Sequence, residues 1–250
     1  MTPELTISVD PHVHSDDSYD GHEPIELILE HVSDIDLDGV VITDHDRIEE
    51  SIRAAELAPD YGLIGIPGIE ISTRHGHLLG IGIEERIEPG LTLGETVAQV
   101  RTLGGIAIVP HPFQRSRHGI RKRRIRNIDA IEVYNSMVFT GYRNARADTF
   151  ATRRGIAKIG SSDAHHLPNV GRAYTEITIP VEDDDMRPED LGWERLVAAI
   201  RSGSTTIQGK RTPIHKSAIQ YSKGAVRKSS YIVTSKVPIV PTVPRSMAQK

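Results

Sequence analysis

Short apolar runs alternate with amphipathic segments along the first 209 residues of the chain. Leu5, Ile7 and Val9 alternate with polar residues, which predicts a half-buried β-strand. Pro24 opens a stretch with a helical apolar repeat, and proline is favoured at the first helical position. We expect strands at 39–43, 63–70, 76–83, 105–111, 129–135, 155–160, 173–179 and 205–208, and helices at 24–32, 47–58, 92–104, 142–154 and 188–201. This alternation favours an α/β fold built on a parallel sheet, open or closed into a barrel.

Two local signals sharpen these predictions. Thr92-Leu-Gly-Glu95 has the spacing of a capping box and should begin a helix that ends at Gly104. Residues 71–83 have the pattern of a hairpin that turns at 74–76. The segment therefore adds an antiparallel pair to the expected sheet.

Side chains that can bind metal ions stand at the C-terminal ends of the predicted strands. His12 and His14 share one side of their strand, because side chains alternate along a strand. A single His-x-His pair is more often an exposed strand end, but the same residue types recur at the later strand ends. In a parallel barrel these ends meet at one mouth, where active sites form. The residues at these ends are His12, His14, His45, Glu70, His111, Asp163 and His165.

Composition narrows the chemistry of such a centre. The chain has no cysteine, so a metal ion must be bound by histidine and carboxylate side chains, a set that suits Mn, Fe or Zn. No apolar run is long enough for a membrane span and no basic, apolar leader begins the chain, so we expect a cytoplasmic protein. The other histidines, His22, His31, His118 and His215, are expected on the surface, and His166 beside the centre.

Charge divides the chain into two parts. Residues 210–250 contain nine Lys or Arg and no Asp or Glu, whereas the rest carries 21 basic and 34 acidic residues. We therefore predict a catalytic domain over residues 1–209 and a basic C-terminal tail over 210–250. The tail could bind nucleic acid or contact the acidic body, and it lacks the interspersed aromatic residues of a base-stacking surface.

The strand-end motifs resemble those of the PHP (polymerase and histidinol phosphatase) family of metal-dependent phosphoesterases. The resemblance extends from about residue 5 to about residue 208 and keeps the family's order. The matching residues are His12-x-His14, Asp20-Gly21, Ile42-Thr-Asp-His45, Pro67-Gly-Ile-Glu70, His111-Pro112, Glu132-x-x-Asn135 and Gly160-Ser-Ser-Asp163-Ala-His165. The resemblance implies a distorted (β/α)7 TIM-like barrel with two or three divalent ions (Mn, Fe or Zn).

The resemblance also implies a ligand set for each ion. One ion would be bound by His12, His14, Glu70 and Asp163. A second would share Glu70 and take His111 with either His77 or His75, of which His77 is preferred because it precedes Leu78-Leu79-Gly80. A third would be bound by Asp20, His45 and His165. The catalytic residues implied are Glu70, Asp163 and His165, with hydrolysis by a metal-bound hydroxide.

A basic segment follows His111-Pro112 directly. Residues 115–126 contain seven Lys or Arg and no acidic residue, which is typical either of a solvated loop or of an arm that binds phosphate. The candidate substrate-binding residues are Arg115, Arg117, Arg121, Arg143 and Asn135. Such an arm favours a polyanionic substrate, so the leading hypothesis is a hydrolase acting on nucleotides or on the 5′ ends of oligonucleotides.

Three other functions fit the same residues. The first is a phosphatase for small phosphomonoesters such as histidinol phosphate. The second is an amidohydrolase, whose barrel also begins with His-x-His but normally carries a bridging lysine that has no counterpart before Lys158. The third is a metal-stabilised binding module without catalysis. The sequence leaves the native metal, the exact substrate and the oligomeric state open.

Overall fold

The computed structural model describes residues 3–114, 118–138, 141–183 and 185–211, and these form an α/β fold as predicted. The strands are β1 Glu4–Val13, β2 Gly39–Ile42, β3 Ile64–Gly65, β4 Gly68–Thr73, β5 Gly76–Ile81, β6 Ile106–Val109, β7 Ala130–Asn135, β8 Ala157–Ser161, β9 Ala173–Pro180 and β10 Thr205–Gly209. The helices are α1 Ile25–Asp34, α2 Glu49–Leu57, α3 Leu93–Thr102, α4 Gly141–Arg154 and α5 Trp193–Ser202.

The described strands form two mixed five-stranded sheets, ordered β10-β9-β1-β2-β3 and β4-β5-β6-β7-β8. β1–β2, β2–β3, β6–β7 and β7–β8 are parallel pairs, whereas β1–β9, β9–β10, β4–β5 and β5–β6 are antiparallel. The expectation of a parallel sheet therefore holds for half of the pairs. The pairing of the described strands does not close a ring, so a sevenfold TIM-like barrel is not confirmed.

Isolated bridges join the two sheets where the ligand-type residues lie. Val13 pairs with Ala164, just beyond the end of β8, and His45 pairs with Glu70 on β4. The C-terminal ends of β1, β2 and β8 thus meet β4 across the gap between the sheets. The two bridges hold these strand ends next to one another. Residues that are far apart in the sequence therefore meet in one site.

Apolar faces of the helices cover the sheets. Ile25, Ile28, Leu29 and Val32 of α1 are buried at helical spacing. Thr92 caps α3 with the predicted reciprocal capping box, in which its hydroxyl accepts from the backbone N–H of Glu95. The box fixes the start of a helix whose apolar side packs on β5 and β6.

Two boundaries differ from the sequence expectation. The predicted strand over 63–70 is broken into β3 and β4, because Pro67 lacks a backbone N–H for a continuous ladder. The predicted helix over 188–201 is a 3₁₀ turn at Pro188–Asp190 followed by α5. Residues 212–250, nearly all of the expected tail, lie outside the described residues. Within the described ranges no helix is both long and apolar enough to cross a membrane.

Candidate metal centre

Glu70 on β4 is the middle of a buried cluster of imidazoles. Its side chain is 1% exposed, although a carboxylate is rarely buried without partners. The Oε1 atom lies 2.8 Å from Nδ1 of His77 and 3.1 Å from Nε2 of His111. The Oε2 atom is surrounded by three further nitrogens, at 3.1 Å from His45 Nδ1, 3.4 Å from His14 Nε2 and 3.5 Å from His12 Nε2. Five histidines from three strand ends and one hairpin strand thus share a single carboxylate.

The structure brings all nine sequence-predicted ligand residues together. Within each of four groups, every residue offers one ligand atom and these atoms lie within 4.8 Å of one another. The groups are His14, Asp20, His45 and His165; His12, His111 and Asp163; His12, His14 and Glu70; and His45, Glu70 and His77. Shared members link the four groups into one centre, as a site for more than one ion requires.

The position of His77 distinguishes it from His75. His77 is 6% exposed and points from β5 towards Glu70. His75 lies in the hairpin turn, where its Nδ1 accepts a hydrogen bond from the backbone N–H of Leu93 at 3.1 Å. His75 therefore fixes the start of α3, and the geometry favours His77 as the ligand.

Unpaired imidazole nitrogens show that the residues fit a metal centre. His12 and His14 direct their Nε2 atoms at each other across 3.2 Å, on the side that faces Glu70 and Asp163. Among the described residues, the Nδ1 atoms of His14 and His111 are buried without a hydrogen-bond partner. Buried polar atoms normally have hydrogen-bond partners. A buried cluster of imidazoles and carboxylates with unpartnered nitrogens is therefore typical of a binding site for divalent cations.

The cluster separates the protonation states of its histidines. Burial, and next to it the charge on His165, lowers the pKa of His14 to about 3. Burial lowers the pKa of His77 to about 4. Both imidazoles are thus neutral at pH 7, as metal binding requires.

Carboxylates act in the opposite direction elsewhere in the cluster. Burial opposes the charge on His45, but Glu70 and Asp20 outweigh it and raise its pKa to about 9. Burial also opposes the charge on Glu70, yet the imidazoles of His77, His45 and His12 hold its pKa well below the usual value. The Glu70 carboxylate is therefore ionised and available to bridge cations.

Buried polar groups behind the candidate ligands form hydrogen bonds that orient them. The sequence predicted no role for most of these groups. Glu132 on β7 is 1% exposed, and its Oε1 lies 3.2 Å from His12 Nδ1. Its Oε2 accepts from the backbone N–H of His111 and, at 2.9 Å, from the Asn135 amide. Asn135 also donates to Asp163 at 3.0 Å. Asn135 was expected to bind substrate, but its buried amide is engaged in orienting Asp163.

Two other buried carboxylates fix the strand ends. Asp10 accepts from the backbone N–H groups of Ser162 and Gly171, both at 2.9 Å, and burial raises its pKa to about 6. Asp44 accepts from the backbone N–H and the hydroxyl of Ser15, and burial raises its pKa to about 7. These bonds tie the ends of β1, β2 and β8 together beside the ligands.

Backbone geometry at the centre is irregular. His111 and Asp163, both ligand candidates, have φ angles of 29° and 55°, and Asp46 and His118 have 57° and 55°. Side chains other than glycine seldom adopt this left-handed region, and such residues concentrate at functional sites. His118 also stacks on His77, with ring centroids 5.0 Å apart, and His22 lies with its Nδ1 3.0 Å from the carbonyl oxygen of His165. His118 is exposed, as expected, although its ring contacts His77, whereas His22 is only partly exposed and contacts the centre.

The centre opens onto a basic cleft of about 560 Å³, which we call the inner cleft. Its wall includes His77, His118, Arg74 and Arg121, together with His75, Arg123 and Arg124. Of the other predicted substrate-binding residues, Arg143 lies on α4, with its Nη1 atom buried and unpartnered among the described residues. Arg115 and Arg117 lie outside the described residues.

The class of protein follows from comparison with known families and structures. Residues 141–205 match the family model described as PHP-associated. The fold is similar to that of a two-domain protein of Bacteroides vulgatus containing a predicted PHP-like metal-dependent phosphoesterase. The TM-score is 0.64 at 16% identity, over 88% of this chain and 72% of that one. The resemblance to the PHP family is thus supported by the family-model match over residues 141–205 and by a similar fold.

Two further similarities place this chain among its relatives. It is 31% identical over 137 residues to an uncharacterised protein of Methanocaldococcus jannaschii, a match that covers 50% of this chain and only 57% of that protein. Its fold is also similar to that of endonuclease Q in complex with a 27-mer duplex that carries an abasic lesion at the active site. There the TM-score is 0.54 at 15% identity, over 83% of this chain and 60% of that one.

Proposed function

We propose that this protein is a phosphoesterase that hydrolyses nucleotides or the 5′ ends of oligonucleotides with the help of two or three bound divalent ions. One observation supports this proposal above the others: a nine-residue cluster of metal-ligand type adjoins a cleft whose wall is rich in arginine. Divalent ions polarise phosphoryl oxygens, and guanidinium groups bind phosphate oxygens in pairs. The two features together match a phosphate ester.

The geometry supports three overlapping ion sites within the centre. His12, His14, Glu70 and Asp163 would bind one ion, since both imidazoles lie 3.4–3.7 Å from the two carboxylates. Glu70, His77 and His111 would bind a second, since Glu70 Oε1 lies 2.8 and 3.1 Å from the two imidazoles. Asp20, His45 and His165 would bind a third, with His14 close to it. Bound ions of this kind supply Lewis acidity and lower the pKa of water. The chain contributes the positions of its ligands, so Glu70, Asp163 and His165 act in this proposal by binding the ions.

The residues around the ions have separate tasks. Glu132 and Asn135 keep His12 and Asp163 in place through the buried hydrogen bonds described above. Arg74 and Arg121 line the inner cleft and bind the oxygens of the substrate phosphate on that side. An amidohydrolase is less well supported, because Lys158 pairs with Asp148 on the surface and contributes no bridge to the centre.

Endonuclease Q provides a precedent for nucleic acid as the substrate of a chain with this fold. The direct test is hydrolysis by the Mn-loaded protein of an aryl phosphate, histidinol phosphate, a nucleoside 3′,5′-bisphosphate and short 5′-phosphorylated oligonucleotides, followed as release of both inorganic phosphate and mononucleotide. We expect the highest kcat/KM on the nucleotide substrates. Preference for histidinol phosphate would assign the protein to small phosphomonoesters, and no release from any substrate would refute the proposal.

Charge reversal in the inner cleft tests the substrate-binding half of the proposal. Arg121→Glu should raise KM for the nucleotide substrate about tenfold with little change in kcat, since it removes one attraction and adds a repulsion. Lys122→Glu is the matched control, because Lys122 is exposed, lies over the Phe150 ring and lines neither basic cleft. Equal KM values for the two variants would contradict a role for Arg121.

A further inference from the structure

A second basic cleft, the outer cleft, adjoins the inner one. It has a volume of about 890 Å³, and its wall shares His75, Arg123 and Arg124 with the inner cleft. Away from the metal centre it continues past Thr92 to Arg126. The shared residues make the two clefts one surface that runs outward from His77 at the metal centre.

Arginines on this surface lack counter-ions. Arg121, Arg123, Arg124 and Arg126 are exposed, and none forms an ion pair with an acidic side chain of the described residues. In contrast, Arg101, which also lines the outer cleft, is bound by the Asp129 carboxylate. A group of unpaired guanidinium side chains attracts anions, because like charges held together raise the local potential.

Carboxylates are absent from the lining of both clefts, as far as the described residues define it. The Glu95 carboxylate lies at the rim, where it accepts hydrogen bonds from Thr92 and caps α3. This distribution is unusual in a chain whose first 209 residues are strongly acidic. An anion longer than a single phosphate would therefore meet only cationic and neutral groups as it leaves the centre.

From the continuity of the two clefts we infer that the outer cleft binds a second phosphate of the same substrate, so that the preferred substrate is a phosphodiester chain and not a mononucleotide. This inference rests on the proposed function and specifies its substrate. The scissile phosphate lies at the ions, Arg74 and Arg121 contact it from the inner cleft, and the next phosphates lie along Arg123, Arg124 and Arg126. Contacts between arginine and phosphate recognise the charge of the phosphates and the distance between them. Because these contacts do not involve the bases, little base preference is expected.

The first test compares chain lengths. For the Mn-loaded protein, the kcat/KM of a 5′-phosphorylated trinucleotide should exceed that of the mononucleotide, and Arg126→Glu should reduce this ratio roughly tenfold. Lys122→Glu should leave the ratio at the wild-type value. Hydrolysis with the same ratio in both variants would overturn the outer cleft as a substrate site while leaving the proposed function intact.

A second measurement makes the inference independent of turnover. Binding of a 3′-labelled, 5′-phosphorylated hexanucleotide is followed by fluorescence anisotropy in EDTA, over a range of salt concentrations. Losing one phosphate contact should lower the slope of log affinity against log salt by about 0.7 in Arg126→Glu. An unchanged slope would refute the inference even if no phosphoester is hydrolysed. Reduced affinity and slope without any hydrolysis would support the cleft and refute the proposed function.

Discussion

Alanine replacements of His77 and His75 test which of the two histidines is the metal ligand. The proposal assigns that role to His77 and a structural role to His75. His77 is 6% exposed, with Nδ1 2.8 Å from Glu70, whereas His75 accepts a hydrogen bond from the Leu93 backbone. An ion present at 100 times its Kd stabilises the folded state by about 2.7 kcal/mol. Removing a residue that only supports a ligand can weaken metal affinity by up to about 100-fold. If His77→Ala raises the Kd of the ion by roughly that factor, the ion stabilises the folded state by only about 0.4 kcal/mol.

The difference of about 2.3 kcal/mol can be measured as a change in thermal stability. For a chain of this size 1 kcal/mol corresponds to roughly 2–4 °C, so the Mn-dependent rise in Tm should shrink by about 5–9 °C in His77→Ala. His75→Ala loses one hydrogen bond, worth about 1 kcal/mol, equally with and without metal. Its Mn-dependent rise should therefore equal that of the wild type.

Differential scanning fluorimetry with Mn and with EDTA checks both variants. The cavity or the missing hydrogen bond lowers the Tm of a variant equally with Mn and with EDTA. The difference between the two Tm values of each variant therefore reports only the stabilisation by the metal. An equal Mn-dependent rise in wild type and His77→Ala would refute the assignment of His77. A rise that is lost in His75→Ala and kept in His77→Ala would show that the hairpin turn supplies the ligand instead.

Three further substitutions test a support of the centre and the packing of the fold. Glu132→Gln keeps the shape of the side chain but replaces one of its two acceptor oxygens by an NH2 group. Because both oxygens accept hydrogen bonds, the variant loses the bonds either on the side of His12 or on the side of the His111 N–H and Asn135. Metal affinity, measured by chelator competition, should fall about 10- to 100-fold, and an unchanged affinity would remove Glu132 from the centre. A Cβ atom at Gly65 would lie 2.0 Å from the carbonyl oxygen of Ala55, so Gly65→Ala should destabilise the fold by about 1–3 kcal/mol in urea unfolding. Gly94→Ala, which meets no atom within 4 Å in the first turn of α3, should be neutral or stabilising by up to about 1 kcal/mol; equal losses would contradict the packing argument.

The sequence predicted that the candidate ligand residues would lie together, because a few simple rules govern their positions. His12 and His14 share a face because the period of a strand is two, and the C-terminal ends of parallel strands meet at one edge. His111 and Asp163 end runs of buried apolar residues, as expected. The order of the helices and strands also followed, since their apolar repeats are strong and Thr92 marks the start of α3.

Features that depend on distant pairing did not follow from the sequence. Whether β1 pairs with β9 depends on contacts across more than 150 residues, which no local pattern encodes. The hydrogen bond between Glu132 and His12 requires β1 and β7 to be placed first. The left-handed backbone at His118, which brings its ring onto His77, carries no glycine or asparagine signal.

The metal ligands and the cationic surface come from different parts of the chain, and this has a consequence for specificity. The ligands are fixed by buried strand ends and by the carboxylates of Asp10, Asp44 and Glu132, so substitutions there cost both metal and stability. The unpaired arginines are exposed side chains on the connection between β6 and β7, where a change of charge does not alter the buried residues Ile120 and Ile125. Because exposed loops tolerate substitution far better than buried strand ends, chains with this metal centre can change their substrates through this connection alone. The ratio of activity on chains to activity on mononucleotides should therefore follow the number of unpaired arginines in the two clefts, and should vary independently of metal affinity.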